Sequence, residues 1–203
     1  MPTDELDLLD YRRRVFALYA RMRAEPDEAA AFAAWVAERD ELFKNHPQSA
    51  IPPEQRAAFS GLSYFPHDPA ARVLAAVEPA ERRRFAVPSS DGATMELERI
   101  GVARFTLRDA DCALEMYWLL GYGGGLFVPF ADATSGDETY GAGRYLLDTI
   151  KGADLGTVDG RLVLDFNLAY QPSCSYDPRW ACPLAPPANR LAVAVRAGER
   201  YAA

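Results

Sequence analysis

Apolar positions in the first third of the chain recur at helical spacing. Leu8, Tyr11, Val15, Tyr19 and Met22 fall three or four residues apart, which sets them on one helical face. Thr3, Asp4 and Glu5 offer an N-cap and an acidic first turn. Pro26 ends this pattern and suits the first turn of a second helix. That helix carries Phe32, Trp35, Val36, Arg39, Leu42 and Phe43, again at helical intervals. Two amphipathic helices joined by a short connection cannot cover their own apolar faces, so they are expected to pack on each other and on the rest of the chain. His46-Pro47 and Pro52-Pro53 stop the helical region, and a single turn from Glu54 to Phe59 is expected before Gly61.

Beyond Gly61 the pattern changes to alternation. Strands are expected near 72–77, 84–87, 95–107, 113–120, 126–130, 144–148, 161–170 and 190–196. Ser90-Asp91-Gly92, Asp109-Ala110-Asp111, the glycine run from Gly121 to Gly125 and Asp159-Gly160 punctuate them as turns. Asp159-Gly160 is the clearest hairpin dipeptide, and Gly101 inside the longest strand marks a bulge or bend. About eight strands with tight turns and no intervening helix imply an antiparallel sheet, and closure or strong curling would deal with its edges. The expected fold is mainly β: an antiparallel barrel-like or strongly curled sheet with an N-terminal helical pair. One domain over 1–203 is expected, with a helical cap at 1–45 and the β core at 61–199.

Charge narrows the partners. The 203 residues carry 29 acidic and 22 basic side chains, a formal net charge of −7. Only Lys44 and Lys151 are lysines, and the arginines sit mostly beside acids, as in Glu81-Arg82-Arg83-Arg84. Nucleic-acid binding depends on neutralising phosphates, so an acidic chain with self-paired arginines argues against it. No apolar run reaches bilayer length, so no membrane partner is expected. The N-terminus lacks the basic start and apolar segment of a secretory signal. A cytoplasmic protein is therefore expected, with Cys112, Cys174 and Cys182 as thiols.

The candidate chemistry lies in the second half. In the run 161–170, Leu162, Leu164, Phe166 and Leu168 alternate onto one face, which leaves Asp165 and Asn167 together on the other, with Tyr170 following. They would orient a ligand hydroxyl or amine, or Asp165 would serve as a general base, unless that face is simply solvated. The loop from Thr134 to Tyr145 combines glycines, hydroxyls and Arg144, a set suited to a carboxylate or phosphate, with Tyr140 and Tyr145 beside it. The alternative is a long hairpin loop whose Arg144 pairs with a neighbouring acid. No Gly-Lys-Ser/Thr follows a strand, and Asp132, Asp137 and Glu138 miss the twelve-residue calcium spacing. Cys174 and Cys182 form one loose pair where metal sites show two, so neither a metal nor a cofactor is expected. A catalytic Cys174 would need His46 or His67, although small thiols more often fill gaps. Glu115 becomes an acid–base candidate if its strand face is buried.

Several longer motifs resemble one family. They are His46-Pro47-Gln48-Ser49, Phe59-Ser60-Gly61-Leu62-Ser63-Tyr64-Phe65-Pro66, and Phe130 to Gly136 running on to Thr139-Tyr140-Gly141 and Gly143-Arg144-Tyr145-Leu146. Asp165-Phe166-Asn167 with Ala169-Tyr170, and Cys182-Pro183-Leu184 with Pro186-Pro187 and Asn189, continue the match. The chain resembles the prokaryotic domain-of-unknown-function family 1684 over residues 32–199. Family members often show Ser-Pro at Ser49-Ala50 and Asn-Pro at Gln171-Pro172. The resemblance implies a family and no reaction.

The expected function is binding of a small polar or anionic molecule in a pocket at a barrel end, formed by Arg144, Tyr140, Tyr145, Asp165, Asn167, Tyr170 and His46. One alternative is a hydrolase or isomerase using Asp165 or Glu115 as base, with His46 or Cys174 assisting. Another is an interaction module presenting the proline-rich segment from Pro172 to Pro187.

Overall fold

The computed structural model describes residues 4–201. Two helices open it, α1 (Asp4–Ala24) and α2 (Glu28–Asn45). The cap expected at Thr3 lies outside the described residues. Asp27, one residue beyond Pro26, caps α2 by accepting the backbone N–H groups of Ala29 and Ala30 at 3.0 and 3.1 Å. Trp35, Arg39, Leu42 and Phe43 occupy the buried stripe of α2 as the spacing requires. The expected turn before Gly61 is a 3₁₀ segment, Pro53–Ala58.

Seven strands follow: β1 (Arg72–Pro88), β2 (Thr94–Leu107), β3 (Ala110–Leu119), β4 (Gly125–Phe130), β5 (Arg144–Asp148), β6 (Thr157–Val158) and β7 (Arg161–Asp165). They form one antiparallel sheet in the order β5-β4-β3-β2-β1-β7-β6. The expected strands at 72–77 and 84–87 are a single element. Pro79 and the Glu81–Arg84 charges interrupt the alternation, but this part of β1 is solvent-exposed and needs no apolar face. The irregularity instead takes the form of a register shift between Pro79 and Arg83. A second shift falls between Arg99 and Gly101, where a Cβ would stand 2.9 Å from the Glu78 carbonyl oxygen. Asp159 and Gly160 both take positive φ and join β6 to β7 as a two-residue hairpin.

Two expected strands change character. The run at 161–170 is extended only to Asp165, whose side chain accepts the Asn167 N–H and starts a 3₁₀ turn, Phe166–Leu168. The segment at 190–196 makes one isolated bridge, at Arg190 to Ala131, and is otherwise held by scattered backbone bonds, such as Ala133 N–H to the Val193 carbonyl at 3.2 Å, and by side chains. The sheet is curled but not closed. Order without closure leaves β5 and β6 as its edges, although Tyr170, past the end of β7, exchanges backbone hydrogen bonds of 2.8 and 3.0 Å with Tyr145 of β5.

Alternation along the strands sends side chains to two buried layers. Leu162 and Leu164 of β7, Val128 and Phe130 of β4, and Leu114 of β3 join Phe105 and Phe166 beneath the C-terminal segment containing Leu191, Val195 and Ala197. Val163, Phe127 and Tyr117 point the other way and meet Leu18, Tyr19, Met22 and Trp35 of the helices. The helical pair thus roofs one side of the sheet. Along that seam the candidate site lies.

Candidate functional site

The residues expected to share a pocket do not converge on one place. Arg144 is fully buried and points away from the helices. Its Nη2 donates to Asp132 at 2.9 Å and to the Val195 carbonyl at 2.8 Å, and its Nη1 donates to the carbonyls of Ala197 and Glu199. The Phe130 ring lies 5.1 Å from the guanidinium carbon. Burial lowers the pKa of Arg144 while Asp132 acts to raise it. The neighbouring acid is Asp132, and the pairing holds the C-terminal segment down; this guanidinium is not open to a ligand.

Asp165 and Asn167 form a bracket. Asn167 donates its amide to Asp165 Oδ1 and to the Asp68 carbonyl, both at 2.9 Å, and accepts the Asp68 N–H at 2.9 Å. Asp165 pairs with Arg72 at 3.1 Å. The crevice beside Asp165, lined also by Met22, Glu25 and Glu28, has a volume of about 20 Å³. That is room for about one water. Glu115 binds Arg99 and accepts from the Tyr117 hydroxyl, each at 2.7 Å, in a cross-strand arrangement on β3 and β2. His46 is buried behind the helices; its Nδ1 accepts the Gln48 N–H at 3.0 Å and its Nε2 faces Asp10 at 3.3 Å. None of these four residues lines the larger cleft.

Tyr145 and Tyr170 do. Their rings meet edge to face at 5.7 Å on the wall of a cleft of about 170 Å³ between the helical pair and the sheet. Across from them stand Arg12 and Tyr11 of α1, Arg39 of α2, and Lys151 from the turn after β5. Trp180, Gln171 and Cys182 complete the mouth. Among the described residues, three cations line this cleft and no carboxylate does, in a chain with an acid excess. The counter-charges lie behind: Glu199 is 2.8 Å from Arg39 Nη2, and Asp148 is 3.0 Å from Lys151 Nζ. Burial raises the carboxyl of Glu199, which Arg39 opposes. Burial pulls Lys151 down, but the Asp148 carboxylate holds it above its ordinary value, so it stays an ammonium.

Arg39 sits among rings, 4.7 Å from Trp35, 5.1 Å from Phe43 and 5.0 Å from Tyr170. Its Nε donates to Tyr64 and its Nη2 to Glu199; Nη1 takes no part in either bond. Sequence reasoning passed over Arg39, Lys151 and Arg12 as site residues. A charged residue inside the apolar stripe of α2 was the available signal for Arg39. Lys151 and Arg12 carried none, because only the fold brings their turn and helix face together.

Beside the mouth, the half-buried Cys174 has the Tyr140 hydroxyl 3.8 Å from its sulfur. Hydrogen bonds from Cys182 first, then Ser90 and Tyr140, bring its thiol down to about 6, whereas Cys182 is pushed up by donating to Cys174 and by burial. Among the described residues no group of three His, Cys, Asp or Glu is placed to hold a metal ion, and no helix is long and apolar enough to cross a membrane.

Comparison with known proteins adds a family. The model of the family described as "Protein of unknown function (DUF1684)" matches residues 57–200. The chain belongs to this family. The DUF1684 match excludes both helices and the His46-Pro47-Gln48-Ser49 motif, so it begins later than the resemblance suggested. Among solved structures, an uncharacterized protein of Haloarcula marismortui, determined in solution by NMR, is 39% identical with a TM-score of 0.61. The similarity covers 85% of this chain and 93% of that one. No curated protein matches the chain.

Proposed function

We propose that the cleft between the helical pair and the sheet binds a small monoanion with a planar apolar body, such as an aromatic carboxylate. The observation that carries this reading is the lining: Arg12, Arg39 and Lys151 without an acid among them, facing Tyr145, Tyr170 and Trp180. The volume of about 170 Å³ sets the size class. A cavity of about 150 Å³ accepts benzene, whereas drug-sized ligands take about 300 Å³ or more. The ring would stack on the tyrosines while the carboxylate meets Lys151 and Arg12, the two cations at the solvent side.

The enzyme reading loses its base here, since Asp165 and Glu115 both lie outside the cleft and are tied into ion pairs. The proline-rich segment is strapped to the sheet, with Tyr145 donating to the Pro183 carbonyl at 2.6 Å and Leu184 N–H to Pro88 at 3.1 Å. An interaction surface built on it gains no support. A wider depression of about 460 Å³ on the outer face of the sheet is open to solvent, and its Arg104 is already paired with Glu78.

The test is thermal denaturation with benzoate and its ring-substituted relatives, set against the matched neutral amides. Carboxylates are expected to raise Tm and amides are not. The combined Arg12→Gln, Lys151→Gln variant is expected to abolish the rise, read against its own starting Tm, which loss of the Lys151 ammonium beside buried Asp148 lowers. A rise that survives this double substitution, or that the amides reproduce, sinks the reading.

A further inference from the structure

α1 carries two apolar stripes, and the fold covers one. Val15, Leu18, Tyr19 and Met22 turn inward to the seam with α2 and the sheet. On the opposite side Leu6, Leu9, Arg13, Phe16 and Ala20 follow one another at intervals of three and four residues, the spacing of a helix–helix seam. Leu6 is 56% exposed, Leu9 42% and Phe16 49%. Gly152 seats Phe16: a Cβ there would stand 2.8 Å from its ring, so the turn after β5 supports one side of the ring and leaves the other open. Single exposed apolar side chains are ordinary. A row of them in register, on the outward face of a helix that already has a buried face, is not accounted for by this chain's own packing.

The charges along α1 point to the occupant. Residues 4–10 hold acids and no base, and residues 12–24 hold arginines and no acid. A helix dipole favours this polarity only within the first and last turns, and Asp10, Arg12, Arg13 and Arg14 lie beyond them. Arg14 is held by Glu38 at 2.9 Å, whereas Arg13 makes no ion pair among the described residues. Asp10 faces His46, yet its side chain is 59% exposed. A second α1 laid on this face in the same direction would bring acid to acid and arginine to arginine. Laid in the opposite direction, it brings each acidic half to an arginine half.

We propose that the outward face of α1 is the interface of a two-fold dimer of this chain, in which the two copies of α1 pack antiparallel. The register that sets Leu6 opposite Phe16 of the second copy also sets Arg13 opposite Leu9 of that copy, one residue from its Asp10. The Arg13 stem then covers Leu9 while the guanidinium reaches Asp10, as long basic side chains do along apolar surfaces. Such a contact is self-complementary and closes at two copies. One helix per copy is a small interface, so the dimer is reversible, with a dissociation constant on the order of tens of micromolar. The exposed charge pairs set direction and register more than strength.

The experiment is sedimentation equilibrium of the full chain from about 1 μM to about 1 mM, a range that brackets this constant. A monomer–dimer equilibrium is expected, with no larger species. Leu9→Glu is expected to leave monomer throughout, and Arg13→Glu to raise the dissociation constant at least about tenfold. The double variant Asp10→Lys, Arg13→Glu is expected to dimerise again, because antiparallel packing restores opposite charges across the seam and parallel packing would not. All three positions face outward, and far-UV circular dichroism checks that each variant keeps the parent's helix content. If Asp10→Lys loosens the helix through His46, the two single variants decide. A parent that stays monomeric across the range leaves the stripe to a different partner or to none, and overturns the proposal. So does a dimer that Leu9→Glu and Arg13→Glu leave intact, an assembly that grows past two copies, or a folded double variant that associates as weakly as Arg13→Glu. The readout needs no cleft ligand, so it is separate from what the cleft binds.

Discussion

Arg144 shows how a side chain suited to anion binding can be used up inside the protein. Four acceptors surround its two terminal nitrogens, three of them carbonyls of a segment that has almost no strand pairing of its own. Its partner Asp132 also accepts from the backbone N–H groups of Thr134 at 2.8 Å and Val195 at 3.2 Å. Removing one member of such a pair leaves a buried charge and several unmet carbonyls, a loss of about 3–5 kcal/mol. Arg144→Ala is therefore expected to lower stability by about that amount in urea denaturation, whereas Arg12→Ala, on the exposed side of α1, shifts it by less than about 0.5 kcal/mol. Equal effects of the two substitutions would contradict the role given to Arg144. The sequence showed that Arg144, Asp132, Asn167 and Asn189 belong to distinctive motifs. It did not show that these motifs are fasteners. Asn189, for example, spends its amide on the carbonyls of Glu115 and Pro129 at 3.0 and 2.7 Å. A polar residue in a glycine-rich loop reads the same whether it faces a ligand or a stray backbone segment.

At the scale of elements, periodicity carried most of the architecture. Both helices, the long bulged strand at Gly101 and the Asp159-Gly160 hairpin were legible because each rests on local pattern or local φ preference. The missed features depend on distant contacts. Exposed β1 residues gave no alternation to follow, and the C-terminal segment looked strand-like because Leu191 and Val195 pack into the core without a ladder. α2 poses the sharper question, since the family match begins at residue 57, after the helices end. Yet Trp35 is fully buried between Tyr64 and the sheet layer, and Arg39 reaches Glu199 from the same helix. Trp35→Ala is expected to destabilise the whole molecule by about 3–5 kcal/mol, in one cooperative urea transition followed by far-UV circular dichroism. If the helical signal is lost first and the sheet persists unchanged, the helices are an appendage and not part of the core.

Across the whole molecule, one seam collects the buried phenols. Tyr19 of α1, Tyr64, Tyr117 of β3, Tyr145 of β5 and Tyr170 all have pKa values raised, in each case chiefly by burial. In the unfolded chain these groups ionise near the usual value of about 10. Between pH 10 and their folded values the unfolded state therefore binds fewer protons than the native state, so stability falls as pH rises through that window and is intact below it. Five phenols acting together cost about 7 kcal/mol per pH unit, since each contributes about 1.4 kcal/mol. Native stability as a whole is only about 5–15 kcal/mol, so the protein is expected to unfold cooperatively within about two units above pH 10. The measurement is a paired titration of tyrosinate absorbance and circular dichroism. The buried phenols should ionise in the same steep step in which the fold is lost. A gradual ionisation centred at pH 10, with the sheet signal unchanged, would mean that the seam between helices and sheet is open to water, and the aromatic wall assigned to the cleft would go with it.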